Sequence, residues 1–84
     1  MQPDHVAVLK SLAEDSRPNG ERCIHFATIM GATNLDRQRV RFICRHFARK
    51  GLAEFHNALW TDDGKPAGSG YCITHAGLHA LPAN

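Results

Sequence analysis

Apolar residues recur at helical spacing along the first half of the chain and then give way to shorter runs of strand character. In residues 4–15, Val6, Leu9, Leu12 and Ala13 share one face of an amphipathic first helix, and Asp4, following Pro3, is placed to cap it. Pro18 and Asn19-Gly20 stop that pattern, because proline disfavours a helical conformation at Arg17 and Asn-Gly favours a turn. In residues 21–31, Cys23, Ile24, Phe26, Ala27, Ile29 and Met30 predict a short second helix closed by Gly31 as a left-handed cap. A strand over residues 23–26 is the competing assignment, since short apolar runs fit both periods.

A third helix is predicted over residues 36–50, capped by Asn34 or Asp36 and ended by Gly51. Val40, Ile43, Cys44 and Phe47 fall at i, i+3, i+4 and i+7 and form its core-facing stripe. The opposite face carries Gln38, Phe42, Arg45 and Arg49, flanked by Arg41 and His46. Leu52, Phe55 and Trp60, then TDDGKPAGSG, then YCIT predict a β-hairpin with a long, exposed, mobile tip. Thr74 can cap a final short helix, HAGLHAL, whose Leu78 and Leu81 are expected to return to the core before Pro82 closes it.

Composition fits one globular domain spanning residues 1–84: 43% hydrophobic, 21% charged, with six aromatic residues. No apolar run approaches the ~20 residues of a membrane span, and the N-terminal segment lacks a signal-peptide pattern, so a cytoplasmic location without membrane contact is expected. Cys23, Cys44 and Cys72 are odd in number and lie in apolar surroundings, which predicts small buried hydrophobes rather than a disulfide.

The net charge of +2 is modest, but its distribution is not. Residues 36–50 carry +5, with Arg37, Arg39, Arg41, Arg45, Arg49 and Lys50 opposed by Asp36, while the segments on either side are net negative. Such a run is often just a solvated face. Here carboxylates are nearly absent from the helix, so it lacks the alternating i,i+4 pairs of a merely soluble surface, and Phe42 sits among the arginines in need of a partner.

The element order, together with the phrases RKGLAEF, DDGKPAGSGY and YCITHAGLHAL, resembles the bacterial winged helix-turn-helix regulators. Lys50, Gly51 and Leu52 match the turn that follows the third helix in that superfamily. Tyr71, Ile73, Thr74 and Gly77 match the end of its second wing strand. The resemblance covers roughly residues 22–81 and implies a mainly α fold: three helices, a two-stranded wing and a short C-terminal helix. The stretch from Gly31 to Gly51 is longer than in many such regulators, which predicts an extended turn between the second and third helices.

By this resemblance the third helix enters the major groove of double-stranded DNA, with its N-terminal half toward the bases and its later turns toward the backbone. Arg37, Gln38 and Arg41 become candidate base readers, with Phe42 against a thymine methyl, while Arg45 and Arg49 suit phosphates. Arg39 and Lys65 complete the candidate DNA-binding set, although Asp62 and Asp63 beside Lys65 would repel a phosphate backbone and weaken any role for the wing.

Other chemistry is set aside. Cys72, His75 and His79 could converge as metal ligands but lack a fourth partner at standard spacing, so no metal or other cofactor is expected. Cys44 and Cys23 do not resemble accessible thiolates, and Asp62 and Asp63 are adjacent rather than facing, so the chain is not expected to be an enzyme. Two functions from different classes follow. The first is a small stand-alone transcriptional regulator of the kind carried by bacteria, phages or mobile elements, acting as a homodimer. The alternative is an inhibitor or adaptor module that meets a protein partner through the basic third helix.

Overall fold

The computed structural model describes residues 2–16, 23–60 and 66–82. Along the chain lie α1 (Pro3–Asp15), β1 (Ile24–His25), α2 (Phe26–Thr33), α3 (Arg37–Arg49), β2 (Ala53–Trp60), β3 (Pro66–Ile73) and α4 (His75–Ala80). The fold is therefore mainly helical with one small antiparallel sheet, ordered β1-β3-β2.

The start of α1 follows from local chemistry, but not as expected. Pro3 takes the first helical position, where its missing N–H costs nothing, and the extended Gln2 precedes it. Asp4 is thus inside the first turn rather than at the cap, and its carboxylate serves another partner described below. Val8, Leu9 and Leu12 are wholly buried, whereas Val6 is only half-buried.

The region after residue 22 departs furthest from expectation. Ile24 pairs with Tyr71 and His25 with Gly70, so the strand assigned as the competing possibility forms, and the sheet has three strands rather than two. A two-residue strand carries no periodicity of its own; pairing with β3 creates it. The second helix consequently starts later and runs through Gly31 to Thr33. Asn34, at φ 60°, takes the left-handed cap, and its N–H donates to the Met30 carbonyl at 2.8 Å. Only residues 34–36 separate α2 from α3, so the extended turn inferred from the sequence is not present.

The cysteine expectation is also corrected. Cys23 and Cys72 form a disulfide, with their Cα atoms 4.4 Å apart across the β1–β3 pair. Nothing in their spacing of 49 residues announces it, because the sheet register alone brings them face to face. Cys44 does behave as a core hydrophobe, and burial pushes its thiol up to about 12.

Val40, Ile43, Cys44 and Phe47 of α3 meet α1, Ile29 of α2 and Ile73 of β3 in one buried cluster. α4 contributes less than its sequence implied: Leu81 packs against that cluster, but Leu78 is exposed. Residues 66–70, expected within the mobile hairpin tip, belong to β3, while residues 61–65 with Asp62, Asp63 and Lys65 lie outside the described residues.

Two polar side chains lock the sheet to the helices. The buried Ser16 Oγ accepts from the Ile73 N–H at 2.8 Å, fixing the end of α1 to β3. Ser16→Ala leaves that buried N–H unpaired, and a loss of about 1–3 kcal/mol is expected as a lower urea midpoint at unchanged slope. An unchanged midpoint would show that the bond adds nothing. At the other junction, the Thr74 hydroxyl donates to the Gly51 carbonyl at 2.7 Å and accepts from the Gly77 N–H at 3.0 Å. Gly77 is required there, since a Cβ would collide with the Leu52 carbonyl and lie 2.7 Å from Ile73 Cγ1.

Candidate nucleic-acid interface

The basic helix is initiated by the one acidic residue of its segment. Asp36 is extended, and its carboxylate accepts from the Arg39 N–H at 2.8 Å, capping α3 and placing negative charge at the positive end of the helix dipole. From that start the 3.6-residue period turns Val40, Ile43, Cys44 and Phe47 inward and leaves Gln38, Arg41, Phe42, Arg45 and Arg49 exposed around one shallow depression. Five of the eight residues singled out from the sequence are thus brought together.

Arg37 lies beside this face rather than on it. With Arg41 and Arg45 it borders a groove of about 340 Å³ whose other wall is Phe26, Phe55 and Tyr71. The Arg37 guanidinium sits 5.5 Å from the centre of the Phe26 ring. Tyr71 meets Phe26 nearly edge-on at 5.7 Å between centroids and Phe55 at 5.2 Å. Burial raises the Tyr71 hydroxyl above its ordinary value, despite the opposing influence of Arg45 and Arg41. From the sequence these three aromatics fall in a helix, a strand and a strand-end pattern, and not in the candidate site. Alternation in β2 could have hinted at Phe55, but only the pairing of Phe55 and Ile24 with Tyr71 sets them beside the arginines.

Arg39 has a different role from the one expected of it. Its Nε donates to Asp4 Oδ2 at 2.6 Å and its Nη2 to Gln2 Oε1 at 3.4 Å, tying α3 to the start of α1. The same guanidinium lies 5.4 Å from the centre of the Phe42 ring. Phe42 is 56% exposed, so it already has a cationic neighbour on one side while the rest of its surface faces solvent.

Hydrogen bonds from His5 and then Arg39 hold the Asp4 carboxyl at about 2, below its ordinary 3.8. A carboxylate depressed in the folded state stabilises the fold above its unfolded value, and that contribution is lost as pH falls through the folded one. Wild-type protein is therefore expected to lose thermal stability between pH 3.8 and about 2 more steeply than Asp4→Asn. Parallel melting curves for the two proteins across that window would refute the coupling. Nearby, loss of solvent, then Lys50, His5 and Arg49, lowers the affinity of His46 for a proton, so the positive charge of this face comes from its arginines and Lys50.

Cys72, His75 and His79, weighed as metal ligands in the sequence, are not gathered into a metal-binding group among the described residues. No described helix is long and apolar enough to cross a membrane.

No protein-family model matches the chain, and no curated protein does. Among solved structures, the crystal structure of a "putative dna-binding protein" from Ralstonia eutropha JMP134 is similar over 96% of this chain and 93% of that one. The TM-score is 0.72 at 22% sequence identity. At that identity the likeness establishes a shared fold.

Proposed function

We propose that this chain is a winged helix-turn-helix domain that binds double-stranded DNA through the exposed face of α3. The observation that carries the proposal is that face itself: Arg41, Arg45 and Arg49 stand with Gln38 and Phe42, Arg37 flanks them, and the segment's only carboxylate is occupied in capping the helix. A helix of this width fits the major groove, and arginine's planar fork suits both guanine edges and phosphate. The name carried by the Ralstonia protein of the same fold agrees with it. Arg37, Gln38 and Arg41, near the helix start, are assigned to base edges, and Arg45 and Arg49 to the backbone. Lys65 of the wing is a further candidate contact. In this proposal the protein is a cytoplasmic transcriptional regulator of bacterial or phage origin, and two copies read a near-palindromic site.

The test is a mobility-shift titration against the promoter region of its own gene, at several salt concentrations and with competitor DNA. With Arg39 held by Asp4, the arginines at positions 37, 41, 45 and 49 remain; all four enter the phosphate field of the groove and displace counterions whether the fork ends on a base edge or a phosphate, which gives a slope of log affinity against log salt of about −3.6 per monomer. Absence of any shift at low salt would reject DNA binding and leave the protein-contact function.

A further inference from the structure

We propose that Cys23 and Cys72, when reduced, form with His56 a binding site for a zinc-class divalent cation. The sheet register builds it. Ile24 opposite Tyr71 places Cys23 across from Cys72, and His56 lies opposite Gly70, one row along on the same face of the sheet. That face is the reverse of the one that presents Tyr71 and Phe55 to the arginines, so the site is separate from the DNA-binding proposal. Two sulfurs and one imidazole nitrogen, from Cys23, Cys72 and His56, all lie within 4.8 Å of one another.

The imidazole supplies an independent reason to expect a ligand. His56 Nε2 is buried and makes no hydrogen bond; the Glu54 carboxylate beside it is 3.8 Å away, beyond hydrogen-bond reach. A buried polar atom without a partner calls for an explanation, and a bound cation provides one. Two thiolates and one imidazole are a donor set suited to zinc, which takes four ligands in a tetrahedron. The fourth position falls to water or to Glu54, which is on the same strand face as His56 and directly opposite Cys72. The His56 side chain remains 38% exposed, which leaves the ion a way in.

The disulfide is the oxidised form of the same site. Two equivalents of a monothiol reduce it: the Cys23–Cys72 bond breaks, each sulfur gains one electron and one proton, and the two reductant sulfurs join as a disulfide. A divalent cation then displaces the two thiol protons and binds the two thiolates and the His56 imidazole. Cys44 takes no part, since it is buried in the core on α3 and its thiol is held protonated.

Reduced wild-type protein, titrated anaerobically with cobalt(II), is expected to take up one equivalent and develop the visible absorption of a tetrahedral thiolate complex, which zinc abolishes by displacement. The oxidised protein is expected to show none. His56→Ala should weaken cobalt binding by about 100-fold or more, because even loss of an outer-shell partner commonly costs about 10–100-fold. A second measurement needs no substitution: zinc should shield Cys23 and Cys72 of the reduced wild type from alkylation, read by mass mapping of the labelled peptides. Reduced protein without cobalt absorption, equal cobalt affinity in a folded His56→Ala, or cysteines alkylated equally with and without zinc would each overturn the site.

Discussion

Reversal of both Arg41 and Arg45 to glutamate is expected to lower DNA affinity by roughly 10³–10⁴-fold near 0.1 M salt, with the fold intact. The estimate follows from counterion release. Each cation brought into the phosphate field contributes a salt exponent of about 0.9, so taking the cationic face from four charges to none removes a factor of roughly 10^3.6 per monomer at 0.1 M. Paired alanine substitutions keep two cations, so the slope should fall from about −3.6 to about −1.8 and the loss should be intermediate. Both arginines are exposed, and neither takes part in an ion pair among the described residues, so melting temperature should hardly move. Lys10→Glu, an exposed position on α1, controls for net charge and should leave the slope unchanged. If the double reversal bound as tightly as wild type, α3 would not be the DNA-contacting element.

The largest effect on stability is expected at Phe47. Among the described residues this side chain is the bulkiest of the fully buried ones, and its ring meets the His5 ring edge-on at 5.9 Å between centroids, joining the last turn of α3 to the first turn of α1. Its carbonyl also accepts from the Leu52 N–H at 2.9 Å, where the chain leaves the helix for β2. Phe47→Ala removes the ring but not the carbonyl, so the loss isolates packing: about 3–5 kcal/mol from lost burial and the cavity left behind. For a domain of this size that is a large share of the total, and the melting temperature should fall by on the order of 20 °C. A loss below about 1 kcal/mol, measured by denaturant titration, would mean that α3 is not anchored through this residue. Phe47→Leu, which refills most of the space, should retain most of the stability.

These two residue groups show where sequence and structure each had authority. The α3 stripe and its opposite face were legible in advance because a helix has one fixed period; seven consecutive offsets suffice to tell Phe47 from Arg45. Thr74 as the last cap and Gly51 as the stop were legible for the same reason, since each acts on its own backbone neighbours, and the sequence narrowed the α3 cap to Asn34 or Asp36, of which Asp36 takes it. Local chemistry also misled: Gly31 had the right residue type for a left-handed cap, yet α2 runs on through Thr33 and Asn34 takes that conformation.

By itself, then, the sequence determined the basic helix, its inward and outward faces, and the hairpin strands that follow, all consequences of interactions spanning a few residues. Only the tertiary structure decided which charges remain available and which residues become neighbours. It commits Arg39 to Asp4, sets Phe26, Phe55 and Tyr71 beside the arginines, and brings Cys23, Cys72 and His56 to one face of the sheet. Each of those outcomes depends on contacts between positions far apart in the chain, and their register follows from how β1 and β2 pair with β3, which no local pattern encodes.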